Sequence, residues 1–138
     1  MRMVTLGKTG IVTPQNGFGA LPIQRCDDET AIKILRRAYE GGITFFDTAR
    51  AYTDSEKKIG MALSDVRNRI FIATKTMADN TEDMKIQLET SLKNLKTDYV
   101  DLYQFHLAGR CIAPGDGSGM YELMEDFKRQ GMIRNIGI

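Results

Sequence analysis

The sequence predicts the first half of a TIM-type (β/α)8 barrel, and three observations carry that reading. Apolar runs of strand type recur at residues 43–46, 70–74 and 99–105, and each stops at a polar group, namely Asp47, Lys75 and His106. The interval from Asp47 to Lys75 is 28 residues and that from Lys75 to His106 is 31, the length of one strand-helix-strand unit. Strand and helix patterns alternate four times before a fifth strand opens, and 138 residues is about half of the roughly 250 that a closed barrel requires.

Each element has its own signal. Residues 3–6 and 11–13 flank the turn-rich Gly7-Lys8-Thr9-Gly10 and read as an N-terminal hairpin. The segment NGFGA at 16–20 is a short strand whose glycines permit close backbone approach. Asp27 or Asp28 caps a helix with Ala31, Leu35, Ala38 and Tyr39 on one face, and Gly41-Gly42 stops it. After the strand ending at Asp47, Ser55 is placed to cap a short helix burying Ile59, Ala62 and Leu63. Asn80 or Thr81 caps the next helix, whose stripe of Met84, Leu88, Leu92 and Leu95 belongs to the core.

The loop at 108–119 is long for a connection inside a domain; on the rim of such a fold it is placed to shape a substrate pocket, the alternative being a disordered loop without function. Met120, Leu123, Met124 and Phe127 form the face of a further helix ending at Gly131, and residues 133–138 begin the fifth strand. An open doubly wound sheet is the competing architecture. It calls for a glycine-rich phosphate loop after the first strand, whereas residues 17–22 read GFGALP and Pro22 suits a helix start poorly there.

Composition bounds the function. With 42% hydrophobic and 27% charged residues the chain is ordinary for a globular domain, and a net charge of +1 gives no reason to expect nucleic acid or an anionic membrane as partner. No apolar stretch has signal-peptide or membrane-spanning length, so a cytoplasmic protein is expected. Cys26 and Cys111 form no metal or redox motif and read as two reduced thiols, and no metal site is expected.

Strand alternation places Phe45 and Asp47 on one face, as it does Phe71, Ala73 and Lys75, and Val100, Leu102, Gln104 and His106. Parallel strands joined by helices bring their carboxyl ends to one rim, so Asp47, Tyr52, Lys75 and His106 are expected to converge there. Singly, Lys75 is a strand-end ion pair and His106 a satisfied structural residue. Jointly, four such groups on one rim are hard to explain as packing. Asp101, on the opposite face from His106, reads as structural.

The segments FDTARAY and SEKKIG, the strand end ATK, the run QLETSLKNLKTDYVDLYQFH and the closing GMIRNIGI together resemble the aldo-keto reductase family. The resemblance extends from the hairpin to the fifth strand. It implies an oxidoreductase that uses NADPH or NADH to reduce aldehydes or ketones, with Asp47, Tyr52, Lys75 and His106 matching the family's catalytic tetrad. It also implies that Ala20 and Asp47 lie near the cofactor, while most of the cofactor site comes from the second half of the barrel. Thr53 departs from the pattern, since many members have glycine after the tyrosine.

Chemistry agrees with those roles. Reduction by hydride needs a proton at the developing alkoxide, and a phenol of pKa near 10 is a weak donor at neutral pH. Lys75 is expected to lower that pKa, Asp47 to hold and neutralise the ammonium, and His106 to bind and orient the substrate carbonyl or share in proton transfer. A non-catalytic nucleotide-sensing or protein-binding subunit on the same fold is the alternative, and a metal-dependent hydrolase is disfavoured by the single histidine. Residues 1–138 are expected to be one truncated half barrel, inactive alone, whose inward faces at Phe45, Phe71, Ala73 and Leu102 drive self-association.

Overall fold

The computed structural model describes residues 1–106 and 112–138. Strands β1 (Met3–Thr5) and β2 (Val12–Pro14) pair antiparallel, and the turn between them is carried by Gly7 and Gly10 at φ +51° and +75°. A five-stranded parallel sheet follows: β3 (Phe18–Gly19), β4 (Phe45–Asp47), β5 (Phe71–Thr76), β6 (Leu102–Phe105) and β7 (Ile136–Gly137). Helices α1 (Asp28–Glu40), α2 (Ser55–Leu63), α3 (Thr81–Leu95) and α4 (Met120–Arg129) connect them in turn.

Spatial order equals chain order, so every crossover steps to the same side and each helix covers the same face of the sheet. A doubly wound sheet would reverse direction at a switch point. The chain is therefore half of a (β/α)8 barrel.

Local chemistry explains most boundaries. The Asp27 carboxylate accepts from the backbone N–H of Thr30 at 2.8 Å and opens α1, and Asn80 accepts from that of Asp83 at 2.9 Å and opens α3. Gly42 at φ +92° turns the chain out of α1, whereas α3 ends on Lys96 at φ +54°, a left-handed residue with no glycine to announce it. Two expectations change. Pro22 opens a short 3-10 helix (Pro22–Arg25), because a first helical position has no N–H to satisfy and proline's fixed φ suits it. Ser55 does not cap α2: the N-cap is Asp54, with no side-chain cap bond, and the Ser55 hydroxyl turns inward to donate to Ala20 O at 2.9 Å.

The core lies between sheet and helices. Leu35, Ile59, Leu63, Met84, Leu88, Met124 and Phe127 pack with Phe46, Ile72, Tyr103 and Phe105, which alternate with the residues of the opposite face. Helices α2 and α3 meet at Gly60, where a Cβ would lie 2.1 Å from Asn94 O, so only glycine allows that approach. On the other face Phe45 and Phe71 are half-buried, as expected of an uncovered barrel interior. Ala73 and Leu102 are not uncovered: Ala73 is small and lies between paired strands, and Leu102 lies against Gly137 of β7.

Candidate active site

Backbone ladders fix where each strand end points. Ala20 N–H donates to Asp47 O at 2.8 Å, Thr48 N–H to Ala73 O at 2.8 Å, Arg50 N–H to Lys75 O at 3.0 Å, and His106 N–H to Thr76 O at 3.0 Å. These bonds put the carboxyl ends of β3 to β6 in one register. Asp47 is the last residue of β4, Lys75 the penultimate residue of β5, and His106 follows β6 directly. Tyr52 sits on the loop after β4, shaped by the bonds Tyr52 N to Ala49 O at 3.0 Å and Ser55 N to Tyr52 O at 2.8 Å.

All four predicted residues come together. The Lys75 ammonium donates to Asp47 Oδ1 at 2.6 Å and to Thr48 O at 2.8 Å, and lies 5.4 Å from the centre of the Tyr52 ring. Tyr52 and His106 meet edge to face, with ring centres 5.4 Å apart and planes at 83°. The Asp47 side chain is 37% exposed and that of Lys75 12%, so the carboxylate is the member of the pair that reaches solvent. Ala20, the other residue assigned to the cofactor, is fully enclosed; its N–H goes to Asp47 and its carbonyl to Ser55, leaving its polar atoms engaged.

The electrostatics differ from expectation at Tyr52. Its phenol is held above the usual tyrosine value, by burial first and by the charge of Asp47 second. These two causes outweigh any help from Lys75, whose ammonium is engaged with Asp47. Tyr52 is thus a protonated phenol at neutral pH. His106 is pushed below the usual 6.5 by burial first and Lys75 second, with Asp47 opposing. It is neutral at pH 7 and becomes an imidazolium only under more acid conditions, which leaves one ring nitrogen as donor and one as acceptor.

A charge change at Lys75 should therefore be readable at His106. Lys75→Met removes a cause that lowers the imidazole pKa and leaves the one that raises it, so the midpoint is expected to move upward. His106 is the only histidine, and its ring signals can be followed by NMR against pH without ambiguity. A midpoint that stays in place would show that the imidazole does not feel the ammonium.

Two residues escaped the sequence reading. Glu56 and Arg50 look like a first-turn helix acid and a loop cation, both ordinarily solvated. Yet the Glu56 side chain is fully buried and pairs with Arg50, and no local pattern announces that. The loop at 108–119 is described only from Ile112 onward, so its expected pocket-shaping role and Cys111 fall largely outside the described residues; Cys26 carries a free thiol. Among the described residues no helix is long and apolar enough to cross a membrane.

A parallel half barrel with a phenol, an ammonium, a carboxylate and an imidazole gathered on its carboxyl rim is a narrow class of α/β protein. The model of the aldo/keto reductase family matches residues 15–138, and the chain belongs to that family. It is 32% identical over 157 aligned residues to aldo-keto reductase YhdN of Bacillus subtilis, covering 100% of this chain and 46% of that protein. It is 36% identical over 133 residues to methylglyoxal reductase DkgB of Salmonella typhimurium, covering 91% and 47%. The aldo-keto reductase AKR11C1 from Bacillus halodurans, in its holo form, superposes with a TM-score of 0.85 at 30% identity, over 100% of this chain and 50% of that one. An aldo-keto reductase from Klebsiella pneumoniae in complex with NADPH superposes with a TM-score of 0.81 at 28% identity, over 93% and 46%. The chain thus spans about half the length of the relatives it matches.

Proposed function

We propose that this chain furnishes the proton-delivering half of an NADPH- or NADH-dependent reductase of small aldehydes or ketones, with Tyr52 as the acid and cytoplasmic placement as part of the reading. The observation that carries it is the clustering of a protonated Tyr52 with the Lys75–Asp47 pair and a neutral His106. Relatives described as methylglyoxal reductases, and a structural neighbour described in complex with NADPH, support the same reading.

The residues present fit a nicotinamide cofactor. Asp47 offers an accessible carboxylate at the rim, and Gln104 Oε1 and His106 Nδ1 are buried with no hydrogen-bond partner among the described residues, as groups completed by a ligand would be. When bound, the reduced nicotinamide supplies a hydride to the carbonyl carbon. Tyr52 gives its proton to the carbonyl oxygen as charge grows there and recovers one from solvent. Lys75 stands beside the phenolate left behind and stabilises it, and Asp47 keeps the ammonium in place. His106, neutral, binds and orients the carbonyl through a ring N–H.

The test is a barrel of the relatives' full length that carries this sequence as its first half. NADPH or NADH consumption with a short aldehyde is the expected result; tight nucleotide binding without consumption would assign the chain to nucleotide sensing instead. Taken alone, these 138 residues present β3 and β7 as strands paired on one side only, beside half-buried Phe45 and Phe71 and an exposed Ile138. Edges and apolar surface of that kind favour pairing with a second copy. Sedimentation is expected to give a dimer or larger species with little turnover, and a monomer that binds NADPH at micromolar concentration would refute this.

A further inference from the structure

The loop that carries Tyr52 is braced by an ion pair whose hydrogen bonds go to none of the four rim side chains. The Arg50 guanidinium reaches two ways, with Nη1 to Glu56 Oε2 and Nη2 to the backbone carbonyl of Thr53 at 3.0 Å. Thr53 directly follows Tyr52 and is held at φ +39°, a left-handed conformation that a threonine does not adopt without support. Glu56 is itself held from the other side: its Oε1 accepts from Thr74 Oγ1 at 2.6 Å, and Asn94 Nδ2 lies 3.5 Å from Oε2. Thr74 immediately precedes Lys75 on β5. A continuous path therefore runs from the strand that carries Lys75, through Glu56 and Arg50, to the peptide that carries Tyr52.

Burial makes the path stiff. The Glu56 side chain is 0% exposed and that of Arg50 20%, so neither charge can relax into water without breaking the pair. The forked guanidinium matters too, since a single planar group serves a carboxylate and a carbonyl at once. Asp47, Lys75 and His106 are the charged and titratable groups facing Tyr52 on the rim. None of them bonds its backbone on the Thr53 side.

We propose that Arg50 and Glu56 are positioning residues that clamp the loop at Thr53 and thereby hold the Tyr52 ring against His106 and Lys75. This rests on the reading of Tyr52 as proton donor for its catalytic meaning, while the placement of the ring can be measured by itself. The Thr53 hydroxyl also donates to Gln24 Oε1 at 3.2 Å and lies 3.4 Å from Asp54 Oδ1, but both of these bonds are exposed, and Arg50 is the group that holds the Thr53 carbonyl.

The experiment uses this chain with labelled aromatic rings. In the parent, the single imidazole should show a nuclear Overhauser contact and a ring-current shift from Tyr52. In Arg50→Gln the contact is expected to weaken several-fold and the imidazole shift to move toward its free value, while signals of Tyr103 and Phe46 in the core stay in place. Arg50→Lys keeps the charge toward Glu56 but lacks the fork, and it is expected to lose the contact in part. Should Arg50→Gln fail to fold by circular dichroism, Arg50→Lys decides on the same readout. An unchanged contact and shift in the folded variant overturns the clamp. In the full-length barrel, Arg50→Lys should lower kcat while leaving KM for the nucleotide unchanged. If Tyr52→Phe leaves turnover intact yet Arg50→Gln abolishes the ring contact, the clamp stands and the assignment of the acid falls.

Discussion

Tyr52→Phe in a full-length barrel is expected to lower turnover by at least the roughly 100-fold that accompanies loss of a general acid, with nucleotide affinity unchanged. The substitution keeps the ring, so its edge contact with His106 and its place beside Lys75 survive; only the hydroxyl is lost. Water would have to protonate the alkoxide without a fixed geometry. The phenol sits above the ordinary tyrosine value, because of burial and Asp47, so the parent's proton donor is present throughout the neutral range and reduction should fade only as the pH climbs through that raised value. In Tyr52→Phe this alkaline limb should vanish with the activity. Rapid single-turnover mixing checks it, and a variant within a few-fold of the parent would remove Tyr52 from the chemistry.

Asp101→Ala is expected to cost about 3 to 5 kcal/mol of folding stability, the range for breaking a buried ion pair from one side. The Asp101 carboxylate is fully buried near the start of β6, where Oδ2 accepts from Arg67 Nη2 at 2.7 Å and Ile72 N–H at 2.9 Å, and Oδ1 from Arg134 Nη1 at 3.0 Å. Arg67 also donates to Ile70 O and Tyr99 O, each at 2.9 Å, and the guanidiniums of Arg67 and Arg134 each lie 4.0 Å from the centre of the Tyr99 ring. Removing the carboxylate leaves Arg67, only 8% exposed, as a buried cation without its counter-charge. It also frees the Ile72 N–H inside the core. Urea unfolding should register the loss; a change below about 1 kcal/mol would mean that the arginines find other partners or that water enters. Tyr52 lies at the other end of the sheet, so its contact with His106 should persist in any folded fraction.

These two residues were legible in different degrees. Tyr52 follows a strand end in a pattern that repeats downstream, and the repeat made the rim visible before any coordinate. Asp101 could be assigned to the face opposite His106 by strand alternation alone, which named it structural without naming its partners. The same alternation overstated the exposure of Ala73 and Leu102, since it knows which face a residue takes but not what covers that face. Pro22 and Ser55 depart from their sequence patterns for a related reason. A one-residue shift in a helix start changes which group is left without a partner, and capping patterns are not resolved that finely.

By itself the sequence determined the half-barrel topology and the gathering of Asp47, Tyr52, Lys75 and His106, because strand period, helix period and the spacing of parallel units are all local along the chain. Only the tertiary structure decided how the charges are spent. Lys75 meets Asp47 across 28 residues, Glu56 meets Thr74 across 18 and Arg67 meets Asp101 across 34. A pKa depends on burial and on the nearest charge, and both are properties of the packed site, so the place of Tyr52 on the rim could be read from the sequence while the direction of its shift could not.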